Sequence, residues 1–347
     1  MGTYLSKPMQ ITYFQRARCL GAIAVVLLHV LSTPMSHTPV EVLGLTRSFA
    51  WCEVQMIFTR WAVPVFFMIT GALLLNPEKR IDWDKSFMYA ARMAIVLATF
   101  GLGMNFLKAY PECGGLTLQT LSTAVYYTLS DTGCGHLWYL YAIIGFYLLL
   151  PLYRAYVAQA SKRDLRIVIL LIFALDIGVH TVNQIWGLEL MYLLKVPSSL
   201  FYFLLGYYAH RHLTIDVKLV AAGIASVVIG TGFNAWYVFG QMRYESWVFG
   251  PDFLIIAPWS LMIFLLMKKC LNGPLEPRGA VSRFADLSFG IYLLHPLIIQ
   301  ALFQVCGWGP DALPPIVYEL SVWGVSVVGA AAMTWALRLI PPVRRIL

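Results

Sequence analysis

The chain is expected to be an all-α polytopic integral membrane protein. Two observations lead there. Of its 347 residues 59% are hydrophobic and only 12% charged, where soluble domains carry about 25% charged residues. Tryptophan and tyrosine are also abundant, 11 and 19, as befits side chains that anchor at the lipid–water interface. Nothing resembles a polar linker, a low-complexity tract or a soluble appendage, so 1–347 is taken as one membrane domain. The N-terminal apolar run carries Arg16 and Arg18 at its start and no small-residue cleavage site follows, so it is not a secretory signal.

A span needs roughly 20 apolar residues. That length places ten spans, at 17–36, 49–75, 86–107, 137–157, 166–182, 191–210, 217–239, 251–271, 284–306 and 315–340. The sixth is interrupted by Lys195 and Pro197. With both termini in the cytoplasm, 20 of the 25 Lys and Arg residues fall on inside segments. Four (Arg47, Lys108, Lys195, Arg243) fall outside, and Arg60 lies within a span. This loop-by-loop alternation is the positive-inside pattern. The net charge of +8 therefore reports topology in a cytoplasmic (inner) membrane and gives no reason to infer nucleic-acid binding. Cys113 and Cys134 share the outer loop 108–136, where a disulfide or two free thiols are both open. No cysteine spacing suggests a metal. The middle of that loop, 118–129, is too short to span and is expected at the interface or as a lid.

Ionisable groups inside spans are functional candidates by default. Arg18 and His29 lie eleven residues apart on the first span, about 16 Å and three turns, on one face. They place a permanent cation near the inner side and a titratable base near mid-membrane. Arg60, four residues before Pro64, needs a carboxylate, carbonyls or an anion; Asp176 and Glu53 are candidate partners. His295 precedes Pro296, which favours a kink there. His136 and Trp138 open the fourth span at the outer interface, in a pattern that suits either a sugar site or an aromatic belt. His37, His180, His210 and His212 are expected to be loop or interface residues. Each of these histidines also has a purely structural explanation.

Four of these segments, in order, resemble membrane-bound acyltransferase family 3, the glycan O-acetyltransferases of bacteria that include the enterobacterial common antigen O-acetyltransferase. Arg18 and His29 match its Arg-x10-His element. Arg60, Pro64, Phe66, Phe67, Thr70 and Gly71 match Arg-x3-Pro-x-Phe-Phe-x-x-Ser-Gly. His136-Leu137-Trp138 matches His-Leu-Trp, and Gly290-Ile291-Tyr292 with His295 matches Gly-Ile-Tyr-x-x-His. The chain departs from the pattern at Gln15 (usually Asp), at Thr70 (usually Ser), at the third span, where the basic pair is reduced to Arg92 with Lys85 upstream, and at Ser32 and Thr33, where some relatives carry acids.

The resemblance implies transfer of an acetyl group from cytoplasmic acetyl-CoA to a hydroxyl of a cell-surface or lipid-linked glycan, with no metal. Arg16, Arg18, Lys85 and Arg92 would hold the CoA phosphates. His29 would act as general base or carry the acetyl group, with Arg18 and Arg60 in the catalytic set and Arg60 with Thr70 at the oxyanion. His136, Trp138, Thr70 and His295 would line the acceptor side. A glycan transporter or flippase is the alternative class, although its usual internal repeat is absent, and a non-catalytic sensor is a third. The acceptor, the acyl group and the oligomeric state are not legible in the sequence.

Overall fold

The structure, a computed structural model, describes residues 12–37, 47–130, 132–237, 250–276, 279–309 and 312–347. Lys7, Arg243 and Arg278, and the side chains of His37, Arg47 and Glu53, lie outside the described residues. The fold is helical throughout: α1 Tyr13–His37, α2 Arg47–Thr59, α3 Ala62–Leu74, α4 Trp83–Val96, α5 Leu102–Glu112, α6 Leu118–Leu129, α7 Trp138–Gln159, α8 Lys162–Ile172, α9 Val179–Trp186, α10 Ser198–His212, α11 Val217–Ala235, α12 Ile256–Cys270, α13 Ala280–Gln304, α14 Pro315–Leu337 and α15 Pro341–Ile346. π-helical turns at Leu97–Gly101 and Phe173–Gly178 join α4 to α5 and α8 to α9.

Among the described residues, eight helical stretches are long and apolar enough to cross a membrane. The sixth and eighth expected spans appear as α10 and α12, each of only 15 residues. Pro197 caps α10, so 188–197 is non-helical, and the expected span 191–210 starts late. Non-helical backbone at membrane depth is tolerated where protein covers it. The second expected span is broken at Arg60–Trp61, because Pro64 lacks the N–H that would bond the Arg60 carbonyl. The expected kink at His295 takes a milder form: α13 runs unbroken through Pro296.

Proline-freed carbonyls find side-chain donors instead. Pro34 leaves the Val30 carbonyl unbonded within α1, and the Tyr318 hydroxyl of α14 donates to it at 3.0 Å. Pro151 does the same to the Tyr147 carbonyl of α7, which accepts from the Ser86 hydroxyl of α4. Basic side chains close the helix ends at the cation-rich side of the bundle, where carbonyls lack partners. Lys268 donates to the carbonyls of Ala209, His210 and Leu213. Arg154 donates to those of Leu74, Asn76 and Lys79.

Helix α1 is central and packs on α2, α3, α12, α13 and α14. Helix α10 is a second centre; residues 201–209 are all buried. It meets α3 backbone to backbone at two glycines. A Cβ on Gly71 would sit 1.8 Å from the Phe203 carbonyl oxygen, and one on Gly206 would sit 2.1 Å from that of Met68. Close approach at small residues is how helices gain contact in lipid, which supplies no hydrophobic drive between them. The pair α4–α7 lies to one side. It joins the core through rings, Trp138 on Phe67 at 5.7 Å and Phe146 stacked on Phe203 at 4.6 Å. In the loop 108–136, residues 118–129 form α6, which packs on α5, where Asn105 donates to Thr128 at 3.1 Å. Cys113 and Cys134 are free thiols.

Replacing Gly206 with alanine is expected to cost about 1–3 kcal/mol, the usual penalty of overpacking. Gly232→Ala, which meets nothing within 4 Å, is expected to be neutral. Thermal unfolding of the two detergent-solubilised variants checks the difference.

Candidate active site

Helices α1, α7 and α13 bring His29, His136 and His295 into one cluster. His29 and His295 are the tightest pair, with His29 Nδ1 3.1 Å from His295 Nε2. The ring of His136 lies 6.3 Å from that of His29 and 6.0 Å from that of His295. The sequence had separated a mid-membrane His29 from an outer His136. The structure joins them, because Gly135–Leu137 forms a 3-10 turn that carries His136 inward before α7 begins.

The hydrogen bonds determine the tautomers of a neutral pair. His295 Nδ1 lies 2.9 Å from the Ile291 carbonyl, and only an N–H can satisfy that contact. Its Nε2 therefore holds a lone pair and accepts from His29. Nδ1 of His29 must then carry the hydrogen, which is shared with the Val25 carbonyl at 2.9 Å. What remains is the lone pair on His29 Nε2. His295 fixes that orientation, a task usually given to a carboxylate in such sites; the acids missing after His29 are replaced by Ser32 and Thr33, which bond back to the His29 carbonyl. Nε2 of His136 is buried and makes no hydrogen bond among the described residues.

Around the cluster, Arg60 reaches Met56 Sδ at 3.0 Å, and its charge is felt at His29. Asp176 is not its partner, since that carboxylate accepts from the Val196 amide at 3.4 Å. Thr70 is placed differently from expectation: its hydroxyl donates to the Phe66 carbonyl at 2.8 Å and lies near the Tyr139 phenol. Trp138 turns away from the histidines into an outer cavity. Sequence reasoning missed Tyr139 and Tyr292. Tyr139 packs on Phe67 and on Tyr292 at 4.7 and 5.3 Å, and the Tyr292 hydroxyl donates to the His136 carbonyl at 2.5 Å. Both tyrosines stand inside the quoted motifs, but only packing reveals that they link them.

At the cation-rich end the basic residues divide. Arg16 and Arg18 are two positions apart, about 200° around the helix, so they cannot face one cleft. Arg16 donates to the carbonyls of Leu271, Gly273 and Pro274, so its commitment is to the loop between α12 and α13. Arg18 is half-buried and within electrostatic reach of Lys79, Tyr139 and Tyr147. Lys79, held by Arg154 through its carbonyl, is a member that sequence reasoning missed. Lys85 is exposed and also near Lys79. Among the described residues no carboxylate lies within ion-pair distance of Arg18, Lys79 or Lys85. Arg92 is exposed and makes long contacts to the Ile346 carbonyl at 3.3 and 3.4 Å. Partial burial, followed by the charges of Arg18, Arg154 and Lys85, holds the Lys79 amine below its usual value.

A bundle that joins His29, His136 and His295 in one cluster and carries a cationic mouth has counterparts. The sequence profile described as an acyltransferase domain, acyltransferase family 3, matches residues 11–337. The chain belongs to this family. It is therefore a multi-pass membrane acyltransferase. It is 22% identical over 352 aligned positions to YfiQ of Bacillus subtilis (strain 168), assigned as a membrane-bound acyltransferase, covering 95% of this chain and 92% of that one. It is also 27% identical over 283 residues to an amino-acid racemase of Enterococcus faecalis, covering 74% of this chain. The chain spans 38% of that racemase's length. No solved structure matches.

Nitrogen chemical shifts of histidine-labelled protein near neutral pH test the tautomers. His29 and His295 are both expected to show a protonated Nδ1 and a bare Nε2; a protonated Nε2 on His29 would contradict the relay.

Proposed function

We propose that this acyltransferase moves an acetyl group from acetyl-CoA to a hydroxyl of a cell-surface or lipid-linked glycan, with the cation-rich end and both termini in the cytoplasm of an inner membrane. The observation that carries the mechanism is the single lone pair left on His29 Nε2, fixed by the contacts of His29 Nδ1 to His295 and Val25.

The donor is a polyanion, and Arg18, Lys79, Lys85 and Arg92 offer charge that, among the described residues, no ion pair takes up. This revises the expected set, with Lys79 in place of Arg16. Arg18 lies about 16 Å along α1 from His29 at 1.5 Å per residue, a distance that the extended pantetheine arm covers. The thioester carbonyl then comes to the histidine cluster.

The acceptor hydroxyl gives its proton to His29 Nε2 while its oxygen forms the C–O bond at the thioester carbonyl. The resulting imidazolium is held by the Val25 carbonyl and the His295 Nε2 lone pair. Negative charge gathers on the former carbonyl oxygen, and Arg60 is the cation near it. The C–S bond then breaks, CoA leaves as a thiolate, and His29 returns the proton to it. The products are the acetyl ester and free CoA. His295 acts through His29 and is a positioning residue here, in place of the acceptor contact first expected. Family membership sets the transporter alternative aside.

Expected outcomes follow for protein in membranes supplied with labelled acetyl-CoA. His29→Ala loses about 10²–10⁴-fold in transfer, the range for general-base catalysis, with protein level unchanged. His295→Ala lowers kcat and leaves KM for acetyl-CoA alone, and His295→Gln, which keeps an acceptor, recovers part of the loss. Full activity of the alanine variants would exclude these roles.

A lysine with a lowered pKa keeps its charge below that value and loses it as pH rises through it. KM for acetyl-CoA should therefore climb at a pH below ~10.4, the ordinary lysine value. In Lys79→Arg, whose charge is permanent, that climb should vanish while kcat is kept.

A further inference from the structure

The helix pair α4–α7 stands off from α10, and between them lies a cavity of about 750 Å³. Sites for small organic ligands measure ≈300–1,000 Å³. One stripe of α7, Trp138, Tyr141, Phe146 and Tyr153, forms one wall. The facing wall comes from the π-helical turn Phe173–Gly178, from α9, and from the non-helical segment 188–197. It carries Asp176, His180, Tyr192 and Lys195, and Asp252 closes it.

The polar groups of this wall are organised. Asp176 is 6% exposed, on a helix deep in the bundle. One of its oxygens accepts from the Val196 amide at 3.4 Å; the other makes no hydrogen bond among the described residues, and the residue lines the cavity. The π-turn, which inserts a residue into the helix, puts it there; such turns recur at functional sites. His180 lies 3.2 Å from Asp252 Oδ2 through Nε2 and 3.1 Å from the Tyr192 hydroxyl through Nδ1. Lys195 sits over the Tyr192 ring at 4.9 Å. A carboxylate in an apolar helical stretch that turns an oxygen toward a cavity is a functional candidate.

We propose that this cavity is an acceptor subsite for an uncharged sugar unit, distinct from the point of transfer. Ring faces of Trp138 and Tyr141 stack on the apolar face of a sugar, and Asp176 and Asp252 accept from its hydroxyls. Two carboxylates against one lysine disfavour a phosphate or an acidic sugar. A chain of rings links the cavity wall to the histidine cluster: Trp138 meets Phe67 at 5.7 Å, Phe67 meets Tyr139 at 4.7 Å, Tyr139 meets Tyr292 at 5.3 Å, and Tyr292 meets His136 at 5.9 Å. A glycan held here would present a neighbouring unit to His29. The inference rests on the acyltransfer function proposed above.

The test uses the full chain in membranes of a host that makes the native envelope glycan. Two readouts are taken: CoA release from acetyl-CoA without acceptor, and alkali-labile acetyl on the envelope glycan. Asp176→Asn and Asp252→Asn are expected to lower glycan acetyl about tenfold or more, the scale of a lost hydrogen bond to a charged group, with CoA release within twofold of wild type. Tyr192→Phe, which keeps the ring, serves if an Asn variant fails to accumulate. Wild-type glycan acetylation in these variants at normal protein level would overturn the subsite. A parallel fall in CoA release would overturn it in favour of a structural role. Absence of both readouts in the wild type would instead remove the glycan acetylation on which the subsite depends.

Discussion

Polar groups in the hydrocarbon layer find no water, so the protein itself must supply their partners. Much of this structure follows from that constraint. Two prolines inside helices each strip a carbonyl of its amide, and two side chains answer: Tyr318 for Val30 and Ser86 for Tyr147. Each bond also ties one helix to another. The bond at Val30 clamps α14 to α1 one residue beyond His29. The bond at Tyr147 holds α4 to α7. The bond to the Ile291 carbonyl orients His295.

The histidine cluster is the same constraint turned to chemistry. A buried imidazole has one donor and one acceptor to place. With His295 Nδ1 given to a carbonyl, the pairing runs in one direction to His29 and ends at an unused lone pair. A carboxylate in the place of His295 would bring a buried charge that needs its own partner; a neutral ring does not. The absence of an acid after His29, a departure from the family pattern, is consistent with this arrangement.

The cations show how one residue type divides between structure and function. Arg16, Arg154 and Lys268 are saturated by carbonyls at helix ends and loops. Arg18, Lys79 and Lys85 lie near one another, and among the described residues none of them is held in an ion pair. The first group stiffens the cation-rich end, and the second leaves it attractive to an anion. Arg154 connects the two, because the loop it grips carries Lys79.

Hydropathy and charge alternation determined the helical class and the approximate number of spans, because both are properties of segments that meet lipid or water one at a time. The motif residues His29, Arg60, His136 and His295 were legible for a related reason: ionisable groups are rare in apolar runs. Three matters were decided by tertiary structure alone. His136 joins His29 because a 3-10 turn redirects it, which no periodicity reveals. Arg16 and Arg18 part company because the helix turns them to opposite neighbours. Asp176, which from sequence was as good a partner for Arg60 as any, faces a separate cavity because a π-turn and the break before Pro197 open one there. In each case the deciding quantity is a direction around a helix axis, and a direction acquires meaning only when the neighbouring helix is in place.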